Sequence, residues 1–225
     1  MYKIEYDFDC YDNKLTSLKG CPEWIGGMFN CSYNFLESLE YCPTYIAGKF
    51  KCSNNKLTSL KWSPDIVRED FDCSDNRLKN LEGLNTKIRQ SLIVSYNRLE
   101  SLKGCPKIIK GSFYCFNNKL RSLEYCPTNI QGSFDCRWND ITSLEGGPIE
   151  VGSYYNCADN KLTALKGVPE RINGYFDCSN NKLLSLKYMP KYIGGNFYCL
   201  RSNFTVADIP NDVVIKGKIL VKEDW

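Results

Sequence analysis

The chain has 225 residues, enough for one or two compact domains or for one extended repeat array. Hydrophobic residues make up 43% of it, so a large apolar core can form and wholesale disorder is not expected. The 29 basic and 26 acidic residues leave a net charge of +3, which is too balanced to indicate a nucleic-acid or membrane surface from charge alone.

The first segment, MYKIEYDFDC, lacks the basic-then-apolar pattern of a secretion signal. No run of about 18 apolar residues occurs in the chain, so no transmembrane helix is expected. Both features favour a cytoplasmic protein. The repeat described next starts almost at Met1, so we expect no capping helix before it.

From Phe8 onward, the pattern F-x-C-x-x-N-x-L-x-x-L recurs at intervals of 21 residues without an insertion. We call each 21-residue unit a rung, number the ten rungs from the N-terminus, and count positions within a rung from the phenylalanine. Position 1 is held by Phe8, Phe29, Phe50, Phe71, Leu92, Phe113, Phe134, Tyr155, Phe176 and Phe197.

Five further positions keep the same register. Position 3 is cysteine except for Val94, and position 6 is asparagine from Asn13 to Asn181. Through the first nine rungs, positions 8 and 11 are leucine except for Ile141, position 18 is Ile or Val, and position 15 is proline in eight. The F-x-C segment predicts a short strand with both side chains inward, and the asparagine predicts a turn whose amide bonds the neighbouring rung, an asparagine ladder. Proline suits an extended outer segment.

The segment FDCSNNKLLSL matches the pattern L-x-L-x-x-N-x-L-x-x-L, and the chain thereby resembles the leucine-rich repeat family over roughly residues 4–203. The short repeat with its outer proline is similar to the bacterial short-repeat class, including proteins of large tailed bacteriophages. The resemblance implies an all-β leucine-rich repeat solenoid of about ten 21-residue rungs with a concave parallel sheet. We predict two segments, the solenoid at 1–203 and a C-terminal cap at 204–225 that adds one more strand.

All 13 cysteines lie at two positions of the repeat: nine at position 3 and four at position 14. Other rungs have Leu, Val or Met at position 14, so the position accepts a small or medium apolar group, and free cysteine is such a group. Parallel side chains one rung apart are poorly placed for disulfides, and no C-x-x-C zinc pattern occurs. We therefore expect mostly buried, reduced thiols, with no metal and no cofactor.

Histidine is absent, which removes the commonest general base and the usual partner of a Ser or Cys nucleophile. We therefore predict that the chain is not an enzyme and name no catalytic residue.

The strand-flanking positions, which face the concave side, differ between rungs. In rungs five to eight they hold bulky groups, whereas elsewhere they are mostly Ser, Asp, Asn and Lys. Tyr, Trp and Arg together are typical of protein-binding hot spots, so we predict partner contact there, the alternative being ordinary scatter of surface aromatics. The predicted partner-binding residues, which we call the sheet patch, are Ile93, Tyr96, Tyr114, Phe116, Arg137, Trp138 and Tyr154.

Two positions carry ordered charge. Position 7 is basic in seven of nine rungs, which could attract an acidic partner or a phosphate backbone but is also typical of a solvated edge. Position 12 nearly alternates between Lys and Glu from Lys19 to Lys187, so we expect opposite charges to pair between neighbouring rungs and to favour the correct register.

The leading hypothesis is a non-enzymatic protein-binding module; if the bacteriophage resemblance holds, the partner would be a protein of the host cytoplasm. One alternative is a structural subunit of a larger, virion-like assembly that docks or self-associates through its open solenoid ends. Another is nucleic-acid binding along the basic edge. Fold alone does not decide among them.

Overall fold

A computed structural model describes residues 2–221, which form two-residue strands and one short 3₁₀ helix. The strands in chain order are β1 (Lys3–Ile4), β2 (Phe8–Asp9), β3 (Trp24–Ile25), β4 (Phe29–Asn30), β5 (Tyr45–Ile46), β6 (Phe50–Lys51), β7 (Ile66–Val67), β8 (Phe71–Asp72), β9 (Lys87–Ile88), β10 (Leu92–Ile93), β11 (Ile108–Ile109), β12 (Phe113–Tyr114), β13 (Asn129–Ile130), β14 (Phe134–Asp135), β15 (Glu150–Val151), β16 (Tyr155–Asn156), β17 (Arg171–Ile172), β18 (Phe176–Asp177), β19 (Tyr192–Ile193), β20 (Phe197–Tyr198), β21 (Val214–Ile215) and β22 (Ile219–Leu220). The 3₁₀ helix, Val206–Asp208, lies between β20 and β21.

The even-numbered strands form one parallel sheet of 11 strands in sequence order, which we call the main sheet. Each pairing in its first ten strands joins residues 21 apart, as Phe8 with Phe29, and the last joins Phe197 with Ile219. The chain is therefore an all-β parallel solenoid of about ten rungs, and the predicted fold class is confirmed.

One side of the main sheet packs into a continuous core. In rung two, Phe29, Cys31, Leu36, Leu39 and Ile46 are all 0% exposed. The phenylalanine rings stack from rung to rung, with those of Phe29 and Phe50 at 5.5 Å between centroids and 8° between planes. Because each rung contributes about five apolar side chains to this column, its burial depends on the rungs on both sides.

The position-6 asparagines connect the rungs through their amides. Asn34 Nδ2 donates to the carbonyl oxygens of Cys10, Cys31 and Ser32, at 3.0, 3.0 and 3.1 Å. Its Oδ1 accepts from the N–H groups of Asn13 and Leu15 in the preceding rung, at 3.0 and 2.8 Å. The amide thus satisfies buried backbone groups that the turn leaves without a strand partner.

The odd-numbered strands from β3 to β19 lie at positions 17 and 18 of the repeat, just before the main-sheet strand of the next rung. The odd-numbered strands form two parallel sheets, a five-stranded one from β1 to β9 and a six-stranded one from β11 to β21. The gap between them falls after Leu84 and Asn85, which replace the residues usual at positions 14 and 15. The main sheet runs through this gap without interruption, since β10 pairs with β12.

The C-terminal segment continues both layers of the solenoid. Strand β21 pairs with β19, and β22 pairs with β20 as the eleventh strand of the main sheet. Residues 222–225 of the predicted cap, and Met1, lie outside the described residues. No helix within residues 2–221 is both long enough and apolar enough to cross a membrane.

Candidate binding surface on the main sheet

Position 2, between the Phe and the Cys, points away from the core. In six rungs its Asp or Asn side chain accepts a hydrogen bond from the backbone N–H of position 4, as when Asp135 Oδ1 accepts from Arg137 at 3.2 Å. A short polar side chain therefore stabilises the strand end at this position. Ile93 and Tyr114 hold the same position and cannot make this bond.

Position 5 has the left-handed backbone conformation in all ten rungs, with φ between 50° and 56°. Six rungs place Asn or Asp there, the non-glycine residues that tolerate this conformation best. Tyr33, Tyr96, Trp138 and Arg201 occupy it in the other rungs. For a bulky side chain the conformation is strained, by on the order of 1 kcal/mol.

The sheet patch divides into two groups of contacting side chains and one separate residue. Tyr96, Phe116, Arg137 and Trp138 form the first group, along the position-5 turns. The Arg137 guanidinium carbon lies 5.0 Å from the ring centroid of Phe116 and 4.9 Å from that of Trp138. Tyr96 and Trp138 are 43% and 45% exposed, whereas Phe116 and Arg137 are half-buried.

The second group is made of tyrosines on the opposite border of the main sheet. The rings of Tyr154 and Tyr175 stack at 4.4 Å and 11°, and Tyr198 meets Tyr175 edge-on at 5.9 Å. Tyr114 lies close enough to raise the pKa of Tyr154, after burial, which is the larger cause. Ile93 stands apart, half-buried in β10 between Asp72 and Tyr114 of the neighbouring strands.

Tyr175 and Tyr198 were not among the predicted residues. Tyr175 follows Tyr154 by 21 residues, and Tyr198 holds position 2, as Tyr114 does. A comparison of equivalent repeat positions up to rung ten could therefore have found both. The aromatic surface therefore extends beyond the predicted rungs five to eight, up to β20.

A buried carboxylate lies between the two groups. Asp135 is 2% exposed, and its Oδ2 lies 3.4 Å from Arg137 Nε, an ion pair without hydrogen-bond geometry. Burial raises the pKa of Asp135 to about 6 although Arg137 acts in the opposite direction, and burial also raises the pKa of Asp177. Carboxylates therefore lie on the sheet between the two groups, and the charge of Arg137 only partly offsets the effect of burial on the pKa of Asp135.

The position-7 basic residues border this surface on the turn side. Six of the seven are exposed, whereas Lys56 is half-buried, with its amine 4.7 Å from the ring centroid of Phe35. Asp140, which interrupts the basic series, forms a salt bridge with Lys161. At position 12, two of the expected pairs form, Glu82 with Lys103 at 2.8 Å and Glu145 with Lys166 at 2.7 Å.

No protein-family model matches the chain, and no curated protein matches it. Among solved structures, YopM from Yersinia enterocolitica WA-314 is similar over 92% of this chain, with a TM-score of 0.52 and 22% sequence identity. The chain has the leucine-rich-repeat fold. It spans about half of YopM, 53% of that chain's length, so the likeness concerns the solenoid alone.

The cysteines of this leucine-rich-repeat solenoid are free thiols, nine of them buried and four half-buried. Burial raises the pKa of the thiols along the core, to about 12 in Cys10. Cys199 differs because hydrogen bonding with Cys178 and Ser202 lowers its pKa, although it is 0% exposed. Within residues 2–221, no three His, Cys, Asp or Glu side chains come together as metal ligands.

A surface depression lies elsewhere on the leucine-rich-repeat solenoid. It has a volume of about 910 Å³ and lies over β13, β15 and β17, with Ile149, Glu150 and Arg171 in its lining. None of the seven sheet-patch residues lines it. A concave pocket and the predicted binding surface therefore do not coincide in this molecule.

Proposed function

We propose that the chain is a non-enzymatic module that binds a partner protein through the sheet patch. The observation that carries this proposal is the placement of aromatic and apolar side chains at positions 2 and 5, where the other rungs favour Asp and Asn. Neither local hydrogen bonding nor backbone conformation accounts for them.

Burial does not account for the turn-side aromatics either. Tyr96 and Trp138 remain 43% and 45% exposed while their backbones hold a left-handed φ of 53° and 54°. Replacement by Asn would relieve strain without opening a cavity in the core. Strain and exposure also occur together at Trp62, so they do not mark the patch by themselves. Tyr96 and Trp138 differ from Trp62 because they join Phe116 and Arg137 in one contiguous cluster, which a single partner can cover.

The chemistry of the patch suits a protein partner. Trp, Tyr and Arg are the residues most enriched among energetically dominant interface positions, and all three are present. Phe116 and Trp138 hold the Arg137 guanidinium between them, which reduces the conformational entropy lost when it binds a partner's carboxylate or carbonyl.

The proposed site of action is the cytoplasm, which fits the free thiols, since cytoplasmic cysteines stay reduced. The resemblance to bacteriophage repeat proteins makes a host protein the first partner class to test. Binding that blocks or redirects such a protein is part of this proposal.

A second candidate is binding of a nucleic acid along the exposed position-7 basic residues, which their alignment favours. The carboxylates of Asp135 and Asp177 on the same sheet disfavour a phosphate chain across the patch. Protein binding through the aromatic groups is therefore the stronger candidate.

The test compares two tryptophans of similar exposure. Trp138→Asn places a residue favoured in left-handed backbone at position 5, and Trp62→Ala changes an outer-turn tryptophan that is 56% exposed and also has positive φ. Each immobilised variant is used to capture proteins from a lysate of the cells in which the protein acts, with and without nuclease treatment.

We expect Trp138→Asn to weaken binding of the captured protein at least about tenfold while its melting temperature stays equal or rises. Trp62→Ala should bind as the wild type does. Equal binding by Trp138→Asn and wild type, or capture that nuclease abolishes, would reject the patch; the second result would favour the basic edge.

A further inference from the structure

The two ends of the main sheet carry unpaired strand edges. Among residues 2–221, β2 has a neighbour on one side only, which is β4, and β22 has a neighbour on one side only, which is β20. Such edges can pair with another chain unless charge or covering segments prevent it.

The backbone groups at the two edges have matching directions. Phe8 and Cys10 donate their N–H groups to Met28 and Asn30 of β4's rung, so the backbone groups of Asp7 and Asp9 point outward. At the other end, the carbonyls of Lys218 and Leu220 accept from Phe197 and Cys199, so the backbone groups of Ile219 point outward. A second copy placed as the next rung would set Phe8 beside Ile219, and Ile219 N–H would meet the Asp7 carbonyl.

The side chains at the two edges carry opposite charge in this same register. Glu5 and Asp7 precede Phe8 by three and one residues, and Lys216 and Lys218 precede Ile219 by three and one residues. All four side chains are exposed. The stacked register therefore sets Glu5 beside Lys216 and Asp7 beside Lys218.

The solenoid already contains this ion pair in its interior rungs. Lys49 and Asp70 precede Phe50 and Phe71 by one residue, and their Nζ and Oδ2 atoms lie 3.0 Å apart. Asp70 Oδ1 meanwhile accepts from the Ser91 N–H at 3.1 Å. Lys49 lies one rung before Asp70. In the stack, Lys218 of one copy would likewise lie one rung before Asp7 of the next.

Asp7 is already arranged in the same manner as Asp70. Its Oδ1 accepts from the Met28 N–H at 2.6 Å, one rung further along. That bond uses Oδ1, so Oδ2 can pair with Lys218 of another copy, as Asp70 Oδ2 pairs with Lys49. Phe8, which is half-buried, would gain a covering residue in Ile219.

We propose that copies of this chain stack head to tail, with the β22 edge of one copy pairing in parallel with the β2 edge of the next. The contact is heterologous, so each added copy presents a fresh edge and growth depends on concentration. Its ion pairs are exposed at the rim, so salt should weaken it. This interface involves no residue of the sheet patch.

The experiment measures association of the 225-residue protein by sedimentation velocity from about 1 to about 100 µM, in about 20 mM and about 500 mM salt. Two charge-reversed variants are compared with wild type: Glu5→Lys with Asp7→Lys, and Lys216→Glu with Lys218→Glu. Glu37→Lys with Glu100→Lys, at exposed mid-stack positions, is the control for net charge.

We expect wild type and the mid-stack control to associate at low salt, and each end variant alone to associate at least about tenfold more weakly because its two ends carry like charge. A one-to-one mixture of the two end variants should recover association, since every contact in it can again join opposite charges. Circular dichroism and thermal unfolding verify that each variant is folded. If the Asp7→Lys variant misfolds, Glu5→Gln with Asp7→Asn retains the Oδ1 acceptor and should still weaken association.

A wild-type protein that stays monomeric over the whole range at low salt would overturn the proposal. So would folded end variants that associate as strongly as wild type, or a mixture no stronger than its components. Association lost in Trp138→Asn instead would place the self-contact on the sheet patch and equally reject end-to-end stacking.

Discussion

Tyr155 places a hydroxyl inside the core at position 1, where eight rungs have phenylalanine. The residue is 0% exposed, and its hydroxyl has no hydrogen-bond partner among the described residues. Gly147 leaves room for it: a Cβ on that glycine would already be in van der Waals contact with the Tyr155 oxygen, at 3.6 Å, and the longer side chains found at position 14 in other rungs would extend further. The small residue Gly147 at position 14 and the hydroxyl of Tyr155 at position 1 thus fit together.

Tyr155→Phe should therefore stabilise the protein by up to about 1 kcal/mol, since an unpaired buried hydroxyl is removed at the cost of a small void. Phe134→Tyr is the matched control. Cys126 occupies the place equivalent to Gly147, so a new hydroxyl has no space there and stability should fall. Urea unfolding of both variants checks this, and equal losses from the two changes would contradict it.

Asp135 makes a pH-dependent contribution to stability. Its folded pKa of about 6 lies above the ordinary value of 3.8 because burial disfavours the charged form. The folded state therefore binds the proton more tightly, and the contribution of Asp135 is most favourable below about pH 4 and declines as the pH rises towards 6. The size of this term is at most about 3 kcal/mol.

Asp135→Asn should reduce the fall in melting temperature between pH 4 and pH 7 relative to wild type. The amide oxygen of the new asparagine can still accept from the Arg137 N–H. Asn30 and Asn156, at the same position of their rungs, accept in this way from the N–H groups of Ser32 and Ala158. The measurement is a melting curve at half-unit pH steps for both proteins. Parallel pH profiles would show that Asp135 titrates at its ordinary pKa.

At the scale of one turn, the position-6 asparagine connects three segments. Asn118 Nδ2 donates to the carbonyls of Val94, Cys115 and Phe116, and its Oδ1 accepts from the Leu99 N–H at 2.9 Å. Lys119, the next residue, is exposed. Adjacent residues of one turn thus differ greatly in the number of buried groups that depend on them.

Asn118→Ala should lower the free energy of unfolding by several kcal/mol, at about 1 to 3 kcal/mol for each buried group left unpaired. Lys119→Ala should change it by less than about 0.5 kcal/mol. Denaturant unfolding of the two variants provides the comparison. Equal midpoints would refute the role assigned to the asparagine amide.

The main-sheet strands could be predicted because apolar periodicity reports which side chains point inward, and Phe29 and Cys31 do so. The outer strands could not, because two residues such as Trp24 and Ile25 give no alternation to detect. The candidate patch was predicted by column comparison, but the strain at Trp138 depends on φ, which residue identity does not reveal. Asp135 escaped notice because Asp is common at position 2, and only burial distinguishes it.

At the scale of the whole molecule, the constant 21-residue interval makes rungs interchangeable. Deletion of residues 155–175 would join Tyr154 to Phe176 and keep every position in register. Glu145 and Lys187 would then become neighbours at position 12, which preserves opposite charges. Nearest-neighbour stacking is the main source of stability in such arrays.

The 21-residue deletion should therefore fold with unchanged sheet signal in circular dichroism and melt cooperatively, a few degrees below wild type. Deletion of residues 155–164, which breaks the period, should abolish the cooperative transition because polar side chains are turned into the core. Cooperative melting of both deletions would show that register does not govern this fold.

The gap in the outer strands has a mechanical consequence. At the other rung steps, two hydrogen-bonded strand ladders, the main sheet and an outer sheet, together resist bending. Between β9 and β11 no outer-strand pairing forms, although Gly111 N–H still donates to the Gln90 carbonyl at 3.1 Å, while the main sheet remains paired through Leu92 and Phe113. We therefore expect bending stiffness to be lowest at that cross-section, which lies between the rungs of Tyr96 and Phe116. Flexure there would alter the angle between the two halves of the patch, and a rigid partner that binds both halves would then fix one curvature of the solenoid.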